Sequence, residues 1–469
     1  MTARTTRKRK IKLAYVPDDL NPDQAAAVAQ LAKAIDRGDP SCRLLGFAGT
    51  GKSYATVRLL RTYAHERPVL LTAPTNKAAA VLRSMAFEIG GDVEATTIHK
   101  ALGLRPEVNA DRGRMVLKQV KQPEIKPHSL VLVDEASMVD SVLMGFIRKG
   151  MKEAHAQCLF VGDPAQLPPV FEAQSPAFTG PGVTCQLTQI VRQAADHPIL
   201  AMTARIREAI DGADVPRFET QKHPAGSLIL LEPADFETAL LASFRSQHYQ
   251  SDPDHCRVLA WTNQRTSAYN RIIRRSLLGP NADQQSLLPG EIVVACTPIL
   301  GRVNVGDFVT VLEAVPVQHH GIPAYRAIIL TQKGKPLEVF TVRPEGYPLF
   351  KGKLSELVKT AQALQKRVGT LTQREDQQRR AAWVEFFEFK DEAFCDLRPI
   401  HASTVHKSQG STYETVYIDL TDIGRNTRRD VLLRLLYVAL TRARGDVVVT
   451  GALPDRLYLE TSATCAGSE

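Results

Sequence analysis

Gly46-Phe47-Ala48-Gly49-Thr50-Gly51-Lys52-Ser53 is the stretch on which the reading of this 469-residue chain turns. It follows a short apolar run, Arg43-Leu44-Leu45-Gly46-Phe47, expected to be a buried strand, and leads into a helical stretch through Leu60. Gly, four residues, then Gly-Lys-Ser between a strand and a helix is the pattern of a phosphate loop. The glycines let backbone N–H groups turn inward onto phosphate oxygens, and the helix N-terminus adds the positive end of its dipole. Gly49, Thr50, Gly51, Lys52 and Ser53 are therefore the expected nucleotide-binding residues. Lys52 should reach the β- and γ-phosphates of ATP, and the Ser53 hydroxyl should sit on Mg²⁺.

Two further strands complete the expected phosphate chemistry. Leu130-Val131-Leu132-Val133 is a continuous apolar run, suited to a strand buried on both faces of a parallel sheet, and it ends in Asp134-Glu135. Asp134 is expected to hold the metal, and Glu135 to polarise the attacking water as a general base. Cys158-Leu159-Phe160-Val161 is followed by Gly162-Asp163-Pro164-Ala165-Gln166-Leu167-Pro168-Pro169. Gln166 suits a γ-phosphate sensor, because an amide both donates to phosphate and accepts from water. The plainer reading makes it a turn residue beside the prolines.

The order of these and later motifs resembles superfamily 1 helicases, in the subgroup 1B that includes RecD and phage Dda. The resemblance spans most of the chain. Leu20-Asn21-Pro22-Asp23-Gln24 is similar to the family's adenine-reading segment, which implies Gln24 on the base. Thr72-Ala73-Pro74-Thr75-Asn76-Lys77 and Thr96-Thr97-Ile98-His99-Lys100 are similar to its DNA-contacting motifs, as is Ser403-Thr404-Val405-His406-Lys407. These imply Pro74, Thr75, Asn76, His99, Thr404 and His406 as DNA-binding residues. Leu187–Gln193 and Leu436–Arg444 are similar to the segments carrying two arginine fingers, which implies Arg192 and Arg442 as catalytic beside Glu135 and Gln166. Arg442 lies roughly three hundred positions after Asp134, so it is expected in another domain, reaching the nucleotide across a cleft. Arg444, two residues on, is read as a surface charge.

The expected fold is α/β, with two RecA-like parallel-sheet motor domains and two insertions. The first domain takes residues 13–185; the second takes 186–289 and 399–469, with strands at Arg257–Ala260, Thr415–Ile418 and Asp446–Val449. Alternating strands and helices favour parallel, doubly wound sheets. Residues 104–128 read as a β-hairpin around the turn signal Val108-Asn109-Ala110-Asp111-Arg112-Gly113. The family uses such a hairpin as a pin that splits the duplex, although this segment holds no Phe, Tyr or Trp. Residues 290–398 read as an SH3-like barrel followed by helices. There Leu354, Leu357, Val358, Ala361, Leu364 and Val368 mark one buried helical face. Trp383, Phe386, Phe387 and Phe389 read as core in preference to a base-stacking surface.

Composition limits the remaining classes. No apolar run of about 18 residues is present, so no membrane span is expected. Seven scattered cysteines without a C-x-x-C pair argue against zinc and disulfides and for a reducing cytoplasm. Six of the nine excess positive charges sit on Arg4, Arg7, Lys8, Arg9, Lys10 and Lys12, so the charge is mostly that of a tail. A solvated, disordered end is the plainer account of that tail; non-specific phosphate binding is the other. The expected function is ATP- and Mg²⁺-dependent translocation on single-stranded DNA with duplex unwinding, and the resemblance implies 5′→3′ travel. Single-stranded and forked duplex DNA are the expected partners, a monomer the expected state, and replication or recombination proteins the kind of protein partner implied. A nucleotide-switched DNA-binding or remodelling ATPase without processive unwinding is the alternative. A small-molecule kinase leaves the second α/β domain and its arginines unexplained.

Overall fold

The computed structural model describes residues 19–109, 114–189, 197–299, 301–365 and 373–459. The basic tail, the hairpin tip at 110–113, Arg192 and Val368 lie outside the described residues. Contacts group the chain into two units, one of Met1–Leu104 and Gln119–Ala195, the other of Arg105–Lys118 and Asp196–Glu469. No helix among the described residues is long and apolar enough to cross a membrane.

The first unit opens with helix α1 (Pro22–Arg37), whose start is fixed locally. Asn21 Oδ1 accepts from the Gln24 N–H at 2.8 Å and Gln24 Oε1 accepts from the Asn21 N–H at 3.2 Å, a reciprocal capping box. Gly38, at φ 85°, ends the helix in the left-handed region. Strands β1 (Ser41–Gly46), β2 (Val69–Ala73) and β3 (Val93–Thr97) follow; next in the chain comes the hairpin β4 (Leu104–Asn109) and β5 (Arg114–Gln119), whose residues Arg105–Lys118 group with the other unit, and the first unit resumes with β6 (Leu130–Val133), β7 (Gln157–Gly162) and β8 (Val183–Leu187). Helices α2 (Lys52–Ala64), α3 (Asn76–Ile89), α4 (Ile98–Ala101) and α5 (Ser141–Glu153) lie between them.

Six of these strands form a parallel sheet in the order β3-β2-β6-β7-β1-β8. Every residue of β2 and β6 is buried, which is why both read as unbroken apolar runs. Thr72 sits opposite Thr96 and Val133, so the carboxyl ends of β3, β2 and β6 emerge at one edge. That edge is where open α/β sheets bind ligands. Arg43 is buried inside β1, with its guanidinium donating to the carbonyls of Ala177 (2.9 Å) and Thr179 (2.8 Å).

In the second unit the strands run β9 (Leu228–Leu231), β10 (Cys256–Ala260), β11 (Ile292–Ala295), β12 (Phe308–His319), β13 (Ile322–Leu330), β14 (Pro336–Val342), β15 (Leu397–Pro399), β16 (Ala402–Thr404), β17 (Thr415–Asp419) and β18 (Val447–Thr450). Five make a second parallel sheet, β16-β10-β17-β18-β9. Phe236, Leu240 and Phe244 from helix Pro233–Arg245 pack on Val258, Tyr417 and Val448, with the Phe236 ring edge-on to Tyr417 at 5.4 Å. The two motor sheets expected from the sequence are thus present.

The remaining five strands form an antiparallel sheet, β14-β13-β12-β11-β15, followed in the chain by helices Tyr347–Gln365 and Gln373–Asp391. Leu357 and Ala361 are buried on the first helix, and Trp383, Phe387 and Phe389 on the second. The aromatic group is core, the reading preferred from the sequence, with Phe386 partly buried against it. A buried ion pair, Arg274 with Glu291 at 2.8 Å, ties helix Asn263–Leu278 to the residue that precedes β11.

Candidate functional site

The phosphate loop is built by the turn from β1 into α2. Gly49 and Gly51 adopt φ 81° and 76°, a left-handed backbone that L side chains rarely adopt. A Cβ on Gly46 would lie 2.7 Å from Thr50 Oγ1 and 3.1 Å from Leu187, so the strand end is also closed to larger residues. The Lys52 ammonium lies across the loop and donates to the Gly46 and Phe47 carbonyls at 2.7 and 2.9 Å. Thr50 is fully buried and its hydroxyl donates to the Phe47 carbonyl at 2.8 Å. Gln24 lies buried behind the loop. Its Nε2 donates to the Thr50 carbonyl at 3.1 Å while its Oε1 serves the α1 cap. The glutamine expected on the adenine therefore braces the phosphate loop here.

Asp134 and Glu135 directly follow β6, the strand next to β2. The Glu135 backbone is left-handed at φ 49°, an unfavourable state for a non-glycine residue and one often kept at active sites. Its N–H donates to Asp134 Oδ1 at 2.9 Å. Burial, followed by repulsion from Glu135, pushes the Asp134 carboxyl up to about 7, against the pull of that N–H and of Lys52. A carboxyl in that state is restored to its charged form by a cation set beside it. Gln166 is buried in the loop after β7, with its N–H on the Asp163 carbonyl at 3.2 Å.

The expected DNA-contacting motifs share one geometry. Thr75 caps α3 by accepting from the Ala78 N–H at 3.2 Å, and Thr97 caps α4 by accepting from the Lys100 N–H at 3.3 Å. Their strands are neighbours, with Ala73 paired to Thr97. The second unit repeats this in sequence and in register. Ala73-Pro74-Thr75-Asn76 returns as Ala260-Trp261-Thr262-Asn263, and Thr97-Ile98-His99-Lys100 as Thr404-Val405-His406-Lys407. Ala260 pairs with Thr404. Thr262 caps helix Asn263–Leu278 and Thr404 caps the 3-10 turn Val405–Ser408. Burial lowers the pKa of His99 and of His406, so both rings are neutral at pH 7. They suit hydrogen bonding and stacking better than charge pairing.

Known proteins match this arrangement in both units. A family model described as an AAA domain covers residues 19–223, and one described as the UvrD-like helicase C-terminal domain covers residues 399–450. The RecBCD enzyme subunit RecD of Mycolicibacterium smegmatis is 25% identical over 87% of this chain and 68% of its own length. The RecD subunit of Mycobacterium tuberculosis is 26% identical over 87% of this chain, which spans 66% of that subunit. Together these matches support a RecD-like helicase of superfamily 1. An uncharacterized protein of Acanthamoeba polyphaga mimivirus is also similar, 20% identical over 85% of this chain and 93% of its own. Among solved structures, the Pif1 helicase of Candida albicans is 18% identical at a TM-score of 0.45, covering 96% of this chain and 99% of that one. Pif1 from Bacteroides, in complex with ADP-AlF3 and ssDNA, is 16% identical at 0.46, covering 94% and 97%. Likenesses that loose add nothing to the assignment.

This helicase is by class an ATP-dependent DNA helicase, and its second unit carries Arg442 at the end of helix Arg429–Thr441. Arg442 is buried. Its guanidinium donates to the Val438 carbonyl (3.1 Å), the Ser411 carbonyl (3.1 Å) and Thr441 Oγ1 (3.0 Å). Arg444 is exposed. Arg192 lies outside the described residues. Trp261, Thr262 and Asn263 were absent from the residues expected to bind DNA. The signal that points to them is the recurrence of Ala-x-Thr-Asn, and the buried Asp422 that holds Trp261 and Thr262 is reached only through the fold.

Proposed function

We propose that this helicase couples ATP hydrolysis to 5′→3′ translocation on single-stranded DNA and uses that movement to unwind duplexes. The observation that carries the reading is the duplicated module. Each unit places an Ala-x-Thr-Asn and a Thr-x-His-Lys at the ends of two neighbouring strands in the same register. A motor that walks needs two such grips, so that one holds while the other moves. In this reading Pro74, Thr75, Asn76 and His99 form one grip, and Thr262, Asn263, Thr404 and His406 the other. Gly49, Thr50, Gly51 and Lys52 take the phosphates, and Ser53 and Asp134 would hold Mg²⁺, whose positive charge neutralises the developing phosphate charge. Glu135 and Gln166 act on the attacking water, and Arg192 and Arg442 serve as fingers. Polarity rests on the family resemblance.

ATP hydrolysis measured with and without single-stranded DNA tests the coupling. Strong stimulation by the strand is expected. Hydrolysis indifferent to DNA would favour a nucleotide-switched remodelling ATPase and remove the motor.

A further inference from the structure

Phe171 presents its whole ring to solvent, at 104% of the reference exposure. Its backbone sits at φ 70°, where glycine is at ease and a bulky side chain is strained. The loop that carries it is firmly held. Ser175 Oγ lies 2.7 Å from both the Ala136 and the Val139 carbonyls, which share its one O–H, and Glu172 accepts from the Ser141 N–H, also at 2.7 Å. The Glu172 N–H closes a turn on the Pro169 carbonyl at 3.1 Å. An exposed ring, at backbone strain, on a stapled loop directly after the Gln166 motif is an expensive arrangement to keep for packing, because the ring packs on nothing.

We propose that Phe171 is a base-stacking platform for the single-stranded DNA track, an inference that rests on the helicase reading above. The loop leaves β7, which is followed across the parallel sheet by β6, β2 and β3 in turn, so it emerges at the sheet edge that carries Asp134, Thr75 and Thr97. Asp140, beside Ser141, is near enough to His99 for its charge to act on that ring. The chemistry of the patch selects a base face over a phosphate. Val142 and Val170 are exposed alongside, and the carboxylates of Asp140 and Glu172 repel a phosphodiester. The 104–128 insertion supplies no Phe, Tyr or Trp for stacking, whereas this loop does. Stacking on an aromatic tolerates any sequence, as a motor requires.

The test compares the affinity of the full chain for oligo-dT with that for an abasic strand of equal length, in wild type, Phe171→Gly and Phe171→Trp. Glycine relieves the left-handed backbone, so Phe171→Gly should melt no lower than wild type. It should weaken oligo-dT binding by about fivefold or more and abasic binding far less, in line with known stacking contributions. Phe171→Trp should restore the preference for bases. Equal affinity of Phe171→Gly and wild type for oligo-dT overturns the proposal and leaves the ring as a protein-docking feature. Equal losses on both strands overturn it too. Failure of the wild-type chain to bind oligo-dT would sink the helicase reading itself, and shows before any variant is made.

Discussion

The Thr262 hydroxyl donates to Oδ1 of Asp422 at 2.7 Å, across 160 residues of sequence. The other carboxylate oxygen accepts from the backbone N–H groups of Trp261 (2.7 Å) and Thr262 (2.9 Å). One buried carboxylate thus fixes the whole turn that repeats the Pro74-Thr75 turn of the first unit. Pro74 has no N–H to satisfy, whereas Trp261 at the matching place does. The extra acceptor is the physical consequence of that difference.

Asp422→Ala leaves two N–H groups and a hydroxyl without their acceptor. We expect a loss of about 2–4 kcal/mol in unfolding free energy, measured by urea titration. We also expect a several-fold rise in the single-stranded DNA needed for half-maximal ATPase, with the saturated rate little changed. A fall in the saturated rate at unchanged DNA requirement would assign Asp422 to the hydrolysis step instead.

Arg442→Ala should leave nucleotide affinity within a few-fold and slow turnover by at least ~100-fold, the size of known finger effects. Lysine should not rescue it. A single ammonium cannot reproduce the planar fork that now spans the Val438 and Ser411 carbonyls. Arg444→Ala, on an exposed side chain, should be mild. Steady-state kinetics with nucleotide titration decide the matter. Weak nucleotide binding with normal saturated turnover would make Arg442 a binding residue.

His401 gives the second unit a calculable acid response. Burial, then the charges of Arg257 and Arg274, push it down to about 3, with its Nδ1 2.7 Å from the Tyr249 hydroxyl. An unfolded histidine titrates near ~6.5. The folded value is the lower one, so between these two pH values the unfolded chain binds the extra proton. Stability therefore rises with pH through that window and levels off above it, with a slope of up to about 1.4 kcal/mol per pH unit. Urea midpoints taken from pH ~4.5 to ~7.5 should fall more shallowly with acid in His401→Phe than in wild type. Identical slopes would mean that His401 does not carry the effect.

The hairpin of β4 and β5 follows α4 and its His99 in the chain, without contributing to the phosphate loop. A wedge acts only at a junction, against stacking of about 1.4 kcal/mol per base-pair step. Replacing residues 108–117 by a short Gly-Ser linker should leave DNA-stimulated ATPase nearly intact and sharply reduce strand separation on a forked duplex. Met115→Ala alone should be mild. Unwinding at full speed after the replacement would remove the pin.

Much of this was legible because burial on two faces leaves a plain trace. The Leu130–Val133 run, its terminal carboxylates and the glycines of the phosphate loop are local features, and the structure keeps them together. The apolar run at 43–47 reads as the first strand, yet β1 spans Ser41–Gly46. Arg43 belongs inside it because carbonyls from distant residues satisfy its guanidinium, and Phe47 belongs to the loop, where its carbonyl takes Lys52 and Thr50. β9 at Leu228–Leu231 was not foreseen, since a four-residue apolar run has no period of its own. Gln24 under the Thr50 carbonyl and Asp422 under Thr262 are long-range pairings, and neither leaves a sign in its own stretch of sequence.

The most direct measurement is displacement of streptavidin from biotin-ended single strands. We expect ATP-dependent release from the 3′ end, slow or absent release from the 5′ end, and no release by Lys52→Ala, which should still bind the strand within a few-fold of wild type. Equal release from both ends, or release by Lys52→Ala at the wild-type rate, would contradict a directional motor driven from this phosphate loop.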